Sequence, residues 1–359
     1  MTNLDLTDNH PTGYNPDGRA AAACPPTAGS TSLDTEETSG KTETGSSYRD
    51  FLTSGMKGDM RFAEQIYTEW DRQVNKNRLG QLLKCKSFAW FMLHKETHLV
   101  RVAASACGLR WCPLCIRSRK YIITQSVANW LQDRKKPKFL TFTLKHHTAP
   151  LASQIDALYK YFRAIRKHPF FKQHIKGGIW FFQVKKSKDE KYWHPHIHVC
   201  CEGKYIPQKE LAALWQKITH GSYIVDIRGV KNIRKAADYV ARYAAAPCRL
   251  FGHTPEDALE IVTSLHGRRI CGTFGTAKGI SLRPTKCEDA DDWQEISSYW
   301  DIRNSLEFDD IAKGIWEAWL HNRPYEGPLP SPPPAIDEAF KKEMERPTSF
   351  DQTFFTFWS

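Results

Sequence analysis

His194-Pro195-His196-Ile197-His198-Val199-Cys200-Cys201, the run HPHIHVCC, reads as a β-strand with two chemically different faces. Side chains alternate across a strand, so His194, His196, His198 and Cys200 share one face while Ile197 and Val199 share the other. Two imidazoles on one rigid surface form a grip for a divalent metal, whereas a lone histidine would read as an ordinary hydrogen-bonded residue. Reading outward, GIWFFQV from Gly178 to Val184 is an apolar strand just upstream, with Gln183 as its one polar member. Further back, KFLTFTL from Lys138 to Leu144 alternates Leu140, Phe142 and Leu144 with Phe139, Thr141 and Thr143.

Helical periodicity fills the gaps between these strands. Ser153 can cap a helix that places Ile155, Leu158, Phe162 and Ile165 on one face, and Pro207 suits the first turn of a helix carrying Leu211, Leu214, Trp215 and Ile218. SYIVDIR from Ser222 supplies a fourth strand. The order β-α-β-β-α-β predicts an α+β protein with a split βαβ, ferredoxin- or RRM-like antiparallel sheet, its helices packed on one face and the other open. In that arrangement the second and third strands are neighbours, so Gln183 can add an oxygen to the two imidazoles. Two nitrogens and an oxygen with open positions suit Mg²⁺ or Mn²⁺ shared with phosphate oxygens, and not a closed zinc site. A further helix runs from about Asn232 to Ala246 and stops at Pro247, and ICGTFGT near residue 270 can add a strand.

Within that last helix, ADYVARYAAAP sets Tyr239 and Tyr243 four residues apart, one turn above each other. Ile233, Ala236, Ala237, Val240 and Ala244 form its core stripe, leaving both phenols at the border and Lys235 and Arg242 further round, where they can meet phosphates. A phenol is a poor nucleophile unless a metal or cations stabilise its anion. Taken alone the pair would read as packing aromatics; the histidine strand upstream turns the reading towards chemistry.

Taken together, KFLTFTLKH, WHPHIHV and YVARY resemble, in type and order, the three motifs of HUH endonucleases, specifically the rolling-circle replication initiator (Rep) proteins. The resemblance maps His196 and His198 onto the histidine pair and Tyr243 onto the nucleophile. Many plasmid members have Glu four residues before that tyrosine; Tyr239 stands there instead, as in two-tyrosine initiators of single-stranded DNA phages. What this implies is a DNA strand transferase that nicks and rejoins single-stranded or cruciform origin DNA through a 5′-phosphotyrosyl intermediate. A two-tyrosine HUH transposase is the rival enzyme, and a non-catalytic RNA- or single-strand-binding module is the rival of another class.

Ahead of the first motif, CGLRWCPLC carries Cys107, Cys112 and Cys115, and Cys85 lies upstream. Four thiolates fit a structural, tetrahedral Zn²⁺, with His94 or His98 as alternatives to Cys85. Arg117, Arg119 and Lys120 follow and are expected to meet phosphates. With 51 Lys and Arg against 40 Asp and Glu, the +11 net charge favours a polyanionic partner.

The division expected is a disordered tail over 1–50, a helical and Cys-rich zinc-binding segment over 51–135, the nuclease domain over 136–285, a helical extension over 286–325 and a Pro-rich tail over 326–359. The aromatic ending FFTFWS is a candidate docking segment. Neither a signal peptide nor a membrane-length apolar run is visible, so a reducing cytoplasm is expected and no membrane partner. Gly40-Lys41-Thr42 lacks the rest of a phosphate-binding loop, so strand separation falls to a separate helicase.

Overall fold

The computed structural model describes residues 47–74, 76–145, 148–187, 192–248, 250–282 and 290–330. Most of both expected tails, with Gly40-Lys41-Thr42 and the FFTFWS ending, lies outside the described residues. The chain opens with α1 (Tyr48–Thr53), α2 (Lys57–Val74) and α3 (Arg78–Leu83), then a hairpin of β1 (Ala89–His94) and β2 (Val100–Ala104). The long helix α4 (Pro113–Gln132) leads into β3 (Lys138–Thr143), α5 (Leu151–Lys167), α6 (Pro169–His174), β4 (Ile175–Lys186) and β5 (Trp193–Gly203). Then come α7 (Gln208–Thr219), β6 (Val225–Gly229), α8 (Ile233–Ala245), α9 (Pro255–Ser264), β7 (Cys271–Gly275), β8 (Trp293–Ser298), α10 (Tyr299–Ser305) and α11 (Asp310–Leu320).

The larger sheet has the antiparallel order β6-β3-β5-β4-β7, which puts the histidine strand β5 in the middle. Alternation decides which side chains meet which helices. Leu140, Phe142, Phe182, Ile197 and Val199 face one way and pack with Leu158 and Phe162 of α5 and Leu211 and Trp215 of α7. The helices of the repeated strand-helix pattern thus lie on one face, as their periodicity predicts. The opposite face, expected to be open, is not: Ile179, Phe181 and Cys200 pack there against Ile123 and Val127 of α4 and Ala237, Val240 and Ala244 of α8. Small side chains on α8 let its backbone lie close to the sheet, so the histidines look into a covered space and not into open solvent.

Local readings shift where tertiary contacts replace local ones. α5 begins at Leu151 behind Pro150, two residues before the expected Ser153 cap, because Glu260 Oε1 accepts from the Leu151 N–H at 3.0 Å and does the cap's work. The fourth strand starts at Val225 and not Ser222. Asn232 caps α8 by accepting from Lys235 N at 2.9 Å, and the helix ends before Pro247.

A second sheet, β2-β1-β8, joins the two ends of the described chain. Its strands fall in segments expected to be helical, 51–135 and 286–325, where short runs interrupted by charge hide the pairing. Tyr48, Phe91, Tyr299, Ile315 and Trp319 share its core. Tyr48 is 1% exposed there, so ordered structure starts inside the expected 1–50 tail, with Ser47 and Asp50 forming a capping box. Among the described residues no helix is long and apolar enough to cross a membrane.

Candidate metal and phosphodiester site

Register builds the site. Gln183 of β4 stands directly opposite His196 of β5, and Thr141 of β3 directly opposite His198, so four polar side chains share one face of three adjacent strands. Gln183, His196 and His198 are all buried, at 3, 6 and 4% exposure. Gln183 Oε1 lies directly against His196 Nε2 and 2.8 Å from His198 Nε2. On the far side of each ring, His196 Nδ1 donates to the His194 carbonyl at 3.0 Å, and His198 Nδ1 lies 3.0 Å from the Thr141 hydroxyl.

These contacts decide what the site accepts. A carbonyl oxygen can only accept, so the His196 proton sits on Nδ1. Burial, reinforced by His194, holds the His196 pKa down at about 3, and burial, with His196 beside it, holds His198 at about 2; both rings are therefore neutral. A neutral His196 turns an Nε2 lone pair towards the Gln183 oxygen, and a Thr141 hydroxyl accepting from His198 Nδ1 would leave His198 the same. Lone pairs converging on one buried point are what a divalent cation satisfies, and carboxamide with two imidazoles suits Mg²⁺ or Mn²⁺. The residues fit the group.

The covering helix brings both phenols onto this cluster. The Tyr243 ring stacks on the His198 imidazole with centroids 5.2 Å apart and planes 29° apart, and Tyr239 meets the same imidazole edge-on at 5.9 Å. The two tyrosines lie 5.1 Å apart, and both are half-buried, so solvent reaches the phenols but not the ligands. Burial and the adjacent Tyr243 push the Tyr239 phenol above its ordinary pKa. Arg242 lies over the Tyr239 ring at 5.3 Å, and Lys235 is exposed at the start of the same helix.

Thr141, Phe139 and Arg228 belong to this neighbourhood and were not singled out by the sequence reading. Phe139 stacks on His198 at 5.2 Å, and Arg228 pairs with Asp226 at 2.6 Å on the neighbouring β6. The signal for Thr141 was a hydroxyl on the histidine side of its strand, a feature it shares with Thr143; only the register shows which histidine it meets.

The second metal-type cluster is where expected. The Sγ atoms of Cys85, Cys107, Cys112 and Cys115 all lie within 4.8 Å of one another, and all four residues are buried. Cys85 completes the set; His94 instead accepts from Glu96 N and Thr97 N in its own turn. Cys112 stands at the N-cap position of α4 and Cys115 in its first turn, so a cation here would tie the start of α4 to the ends of α3 and β2. The four thiols can hold zinc.

The basic residues after the cluster divide. Arg119, expected to meet phosphate, is turned inward and donates to the carbonyls of Arg110, Gly108 and Ala245 at 3.2, 3.1 and 3.0 Å, locking the cysteine loop to the end of α8. Lys120 pairs with Asp238 at 2.9 Å, and Arg117 is exposed.

An α+β chain with a central histidine strand under a tyrosine helix, preceded by a cysteine cluster, matches a family model described as replication protein (Rep_1) over residues 98–323. The chain belongs to that replication protein family. It is similar to the Protein rep of Streptococcus pneumoniae serotype 2 (strain D39 / NCTC 7466), with 27% identity over 268 residues, 66% of this chain and 81% of that protein. It is also similar to the Protein rep of a Bacillus species, at 29% identity over 43% of this chain and 56% of that protein. The Protein rep of Bacillus amyloliquefaciens is 26% identical over 50% of this chain and 58% of its own length, so the match spans little more than half of either Bacillus relative. No solved structure matches the chain.

Proposed function

We infer that the protein is a plasmid replication initiator that nicks and rejoins single-stranded origin DNA, with Tyr243 as nucleophile and Tyr239 as a second phenol. The observation that carries this reading is the Tyr243 ring stacked on His198, a histidine that shares the Gln183 oxygen with His196. Family membership favours replication over the transposase alternative.

His196, His198 and Gln183 would hold Mg²⁺ or Mn²⁺, which would polarise the scissile phosphate and stabilise the charge that builds on its oxygens. The protein's own groups do the rest. Tyr243 Oη attacks phosphorus in line with the leaving 3′-oxygen, the P–O3′ bond breaks, and the phenol's proton ends on the 3′-hydroxyl, which is left as a primer. The 5′-phosphate stays ester-linked to Tyr243, so no water is consumed and the bond energy is retained for rejoining. Tyr239, whose ring centroid is 5.1 Å away and whose phenol pKa is raised by burial, would attack the regenerated junction after one round. Lys235, Arg242 and the exposed Arg117 would meet flanking phosphates, and Lys120 after release from Asp238; Arg119 stays structural. Zinc in the cysteine cluster would fix the amino end of α4 beneath α8.

The sequence-based division is kept in this reading, with a nuclease unit over 136–285 between the cysteine segment and the extension over 286–325. The initiator would work in the cytoplasm with a separate helicase on single-stranded or cruciform DNA. Purified protein, Mn²⁺ and labelled single-stranded DNA from the origin strand provide the test. A denaturation-resistant adduct that needs metal and is lost in Tyr243→Phe is expected; binding with no adduct on any origin strand would return the protein to the non-catalytic class.

A further inference from the structure

A cleft of about 910 Å³ opens beside the edge strand β7, outside the metal site. Its lining holds five arginines, Arg119, Arg163, Arg166, Arg268 and Arg269, against one acidic residue, Asp156. The Arg268 guanidinium pairs with Asp156 at 2.8 Å, and Arg119 is spent on backbone carbonyls. Arg163 and Arg166 differ: they lie one turn apart on α5, and neither takes part in a salt bridge among the described residues. The Arg166 Nε is buried with no hydrogen-bond partner, and its guanidinium is wedged over Phe162 at 4.8 Å and Phe274 at 5.4 Å. Burial and the neighbouring Arg163 both disfavour the Arg166 charge. Two adjacent cations held this way are the arrangement an anion relieves.

Beneath the arginines lies an aromatic floor. Trp180 meets Tyr159 at 5.8 Å and Phe162 at 6.0 Å, both edge-on. Gly272 of β7 keeps the indole accessible, since a Cβ there would lie 2.7 Å from Trp180 Nε1. Cations around a recessed ring system are the chemistry of single-stranded nucleic acid, whose unstacked bases can reach such rings while bases inside a duplex cannot. The cleft continues past Gly108, Arg119 and Arg268 into a second of about 500 Å³ lined by Arg78, Lys76 and Trp70. The basic and aromatic character therefore follows a track and is not confined to a pocket for one nucleotide.

The track also adjoins the tyrosines. Ala244, the residue after Tyr243, lines the cleft, so the last turn of α8 is a wall common to both. Cys271 pairs with Phe181 and Phe181 with His198, which sets the cleft wall two strand spacings, about 10 Å, from the metal-side imidazole.

We propose that this cleft is a single-stranded DNA subsite: the strand leaving the nicked phosphodiester passes round the edge strand β7 to the α5 face of the sheet, where Arg163 and Arg166 hold its phosphates and Trp180 stacks one of its bases. The assignment rests on the nicking function inferred above, and the test separates the two. In a Tyr243→Phe background, where no strand is cut, a labelled oligothymidylate is titrated by fluorescence anisotropy over a series of salt concentrations, with thymidine monophosphate as competitor. Arg163→Gln/Arg166→Gln should weaken binding about tenfold or more and make the log–log salt slope less negative by about 1.4, at about 0.7 for each phosphate that is no longer neutralised. Arg163→Gln alone, an exposed change that leaves the half-buried Arg166 in place, should give about half of that slope change. Trp180→Phe should remove part of the tryptophan quenching that accompanies binding. An unchanged slope in both arginine variants, or the mononucleotide competing as well as the oligomer, overturns the proposal. Absence of an adduct with the unmutated Tyr243 on origin DNA bears on the nicking reading alone.

Discussion

Two donor clusters in this chain could each bind a metal, and they are built on opposite principles. The cysteine cluster uses four like ligands, all buried and within 4.8 Å of one another, from segments with no sheet register between them. Its four sulfurs make a complete tetrahedral set, which leaves a cation no position for substrate. The histidine cluster brings together two imidazoles and a carboxamide, fixed by strand register and backed by Thr141 and the His194 carbonyl. Its open side is occupied by two half-buried phenols. In the proposed reading the first would hold segments together, and the second would hold a metal towards something that reacts. The completeness of the ligand set, and not its burial, separates a structural from a reactive centre.

The sharpest way to break that comparison is to remove one ligand from each cluster. Cys112→Ser should cost the fold, because zinc binding of about 10–16 kcal/mol is comparable with or larger than the whole stability of a domain. Loss of the cooperative thermal transition by circular dichroism, together with loss of bound zinc, is the expected result; a native-like melt without zinc would make the cluster a set of packed thiols. His196→Ala, by contrast, should leave the cooperative melt in place and abolish metal-dependent adduct formation. Removing the proposed nucleophile should give the next largest effect. Tyr243→Phe should lower adduct formation at least about 10³-fold with little change in melting, and Tyr239→Phe should spare the first nick and slow strand rejoining. Equal loss in both variants would mean that the phenols act as a pair in the first step.

How much of this was visible in the sequence follows from the same contrast. The histidine face, Gln183 and the tyrosine spacing were legible because strand and helix periodicities map neighbours in sequence onto one face. That β4 lies beside β5 was expected from the succession of strands and helices, and not from alternation. The cover over the histidines was not legible, since α4 belongs to the cysteine segment and shows no strong one-sided pattern: its buried Ile123, Val127 and Leu131 meet the sheet while Leu114 and Cys115 meet another core. Nor was the smaller sheet, which pairs β1 with a strand some two hundred residues further along the chain. Arg119 was misread for a related reason, because charge alone cannot show that carbonyls of Gly108 and Ala245 wait for a guanidinium.

The open cluster carries a cost that acidity should expose. Both histidines are held neutral in the fold, with pKa values of about 3 and about 2 against an ordinary 6.5. Below pH 6.5 the unfolded chain binds protons that the folded one refuses, so stability must fall as pH drops from about 6.5 towards 3. Urea unfolding without Mg²⁺ or Mn²⁺ should show this decline between pH 7 and pH 5, and His196→Gln/His198→Gln should flatten it. A pH-independent midpoint in the parent protein would mean that the rings are exposed enough to titrate normally.

The smallest effect tests whether register alone fixes the ligands. Thr141 touches neither the converging Nε2 atoms nor the tyrosines; its hydroxyl meets only the rear nitrogen of His198, at 3.0 Å. Thr141→Val keeps the shape and β-branched character of the strand and removes that hydrogen bond, so the sheet should be undisturbed. A partner of this kind orients the ring and fixes its tautomer, and without it Mn²⁺ affinity should weaken about 10–100-fold. At saturating Mn²⁺ the rate of adduct formation should recover, because the nucleophile and its stacking on His198 remain. A lower rate that no metal concentration restores would place the hydroxyl in the reaction itself; an unchanged affinity would show that the opposition of Thr141 to His198 across β3 and β5 is packing and nothing more.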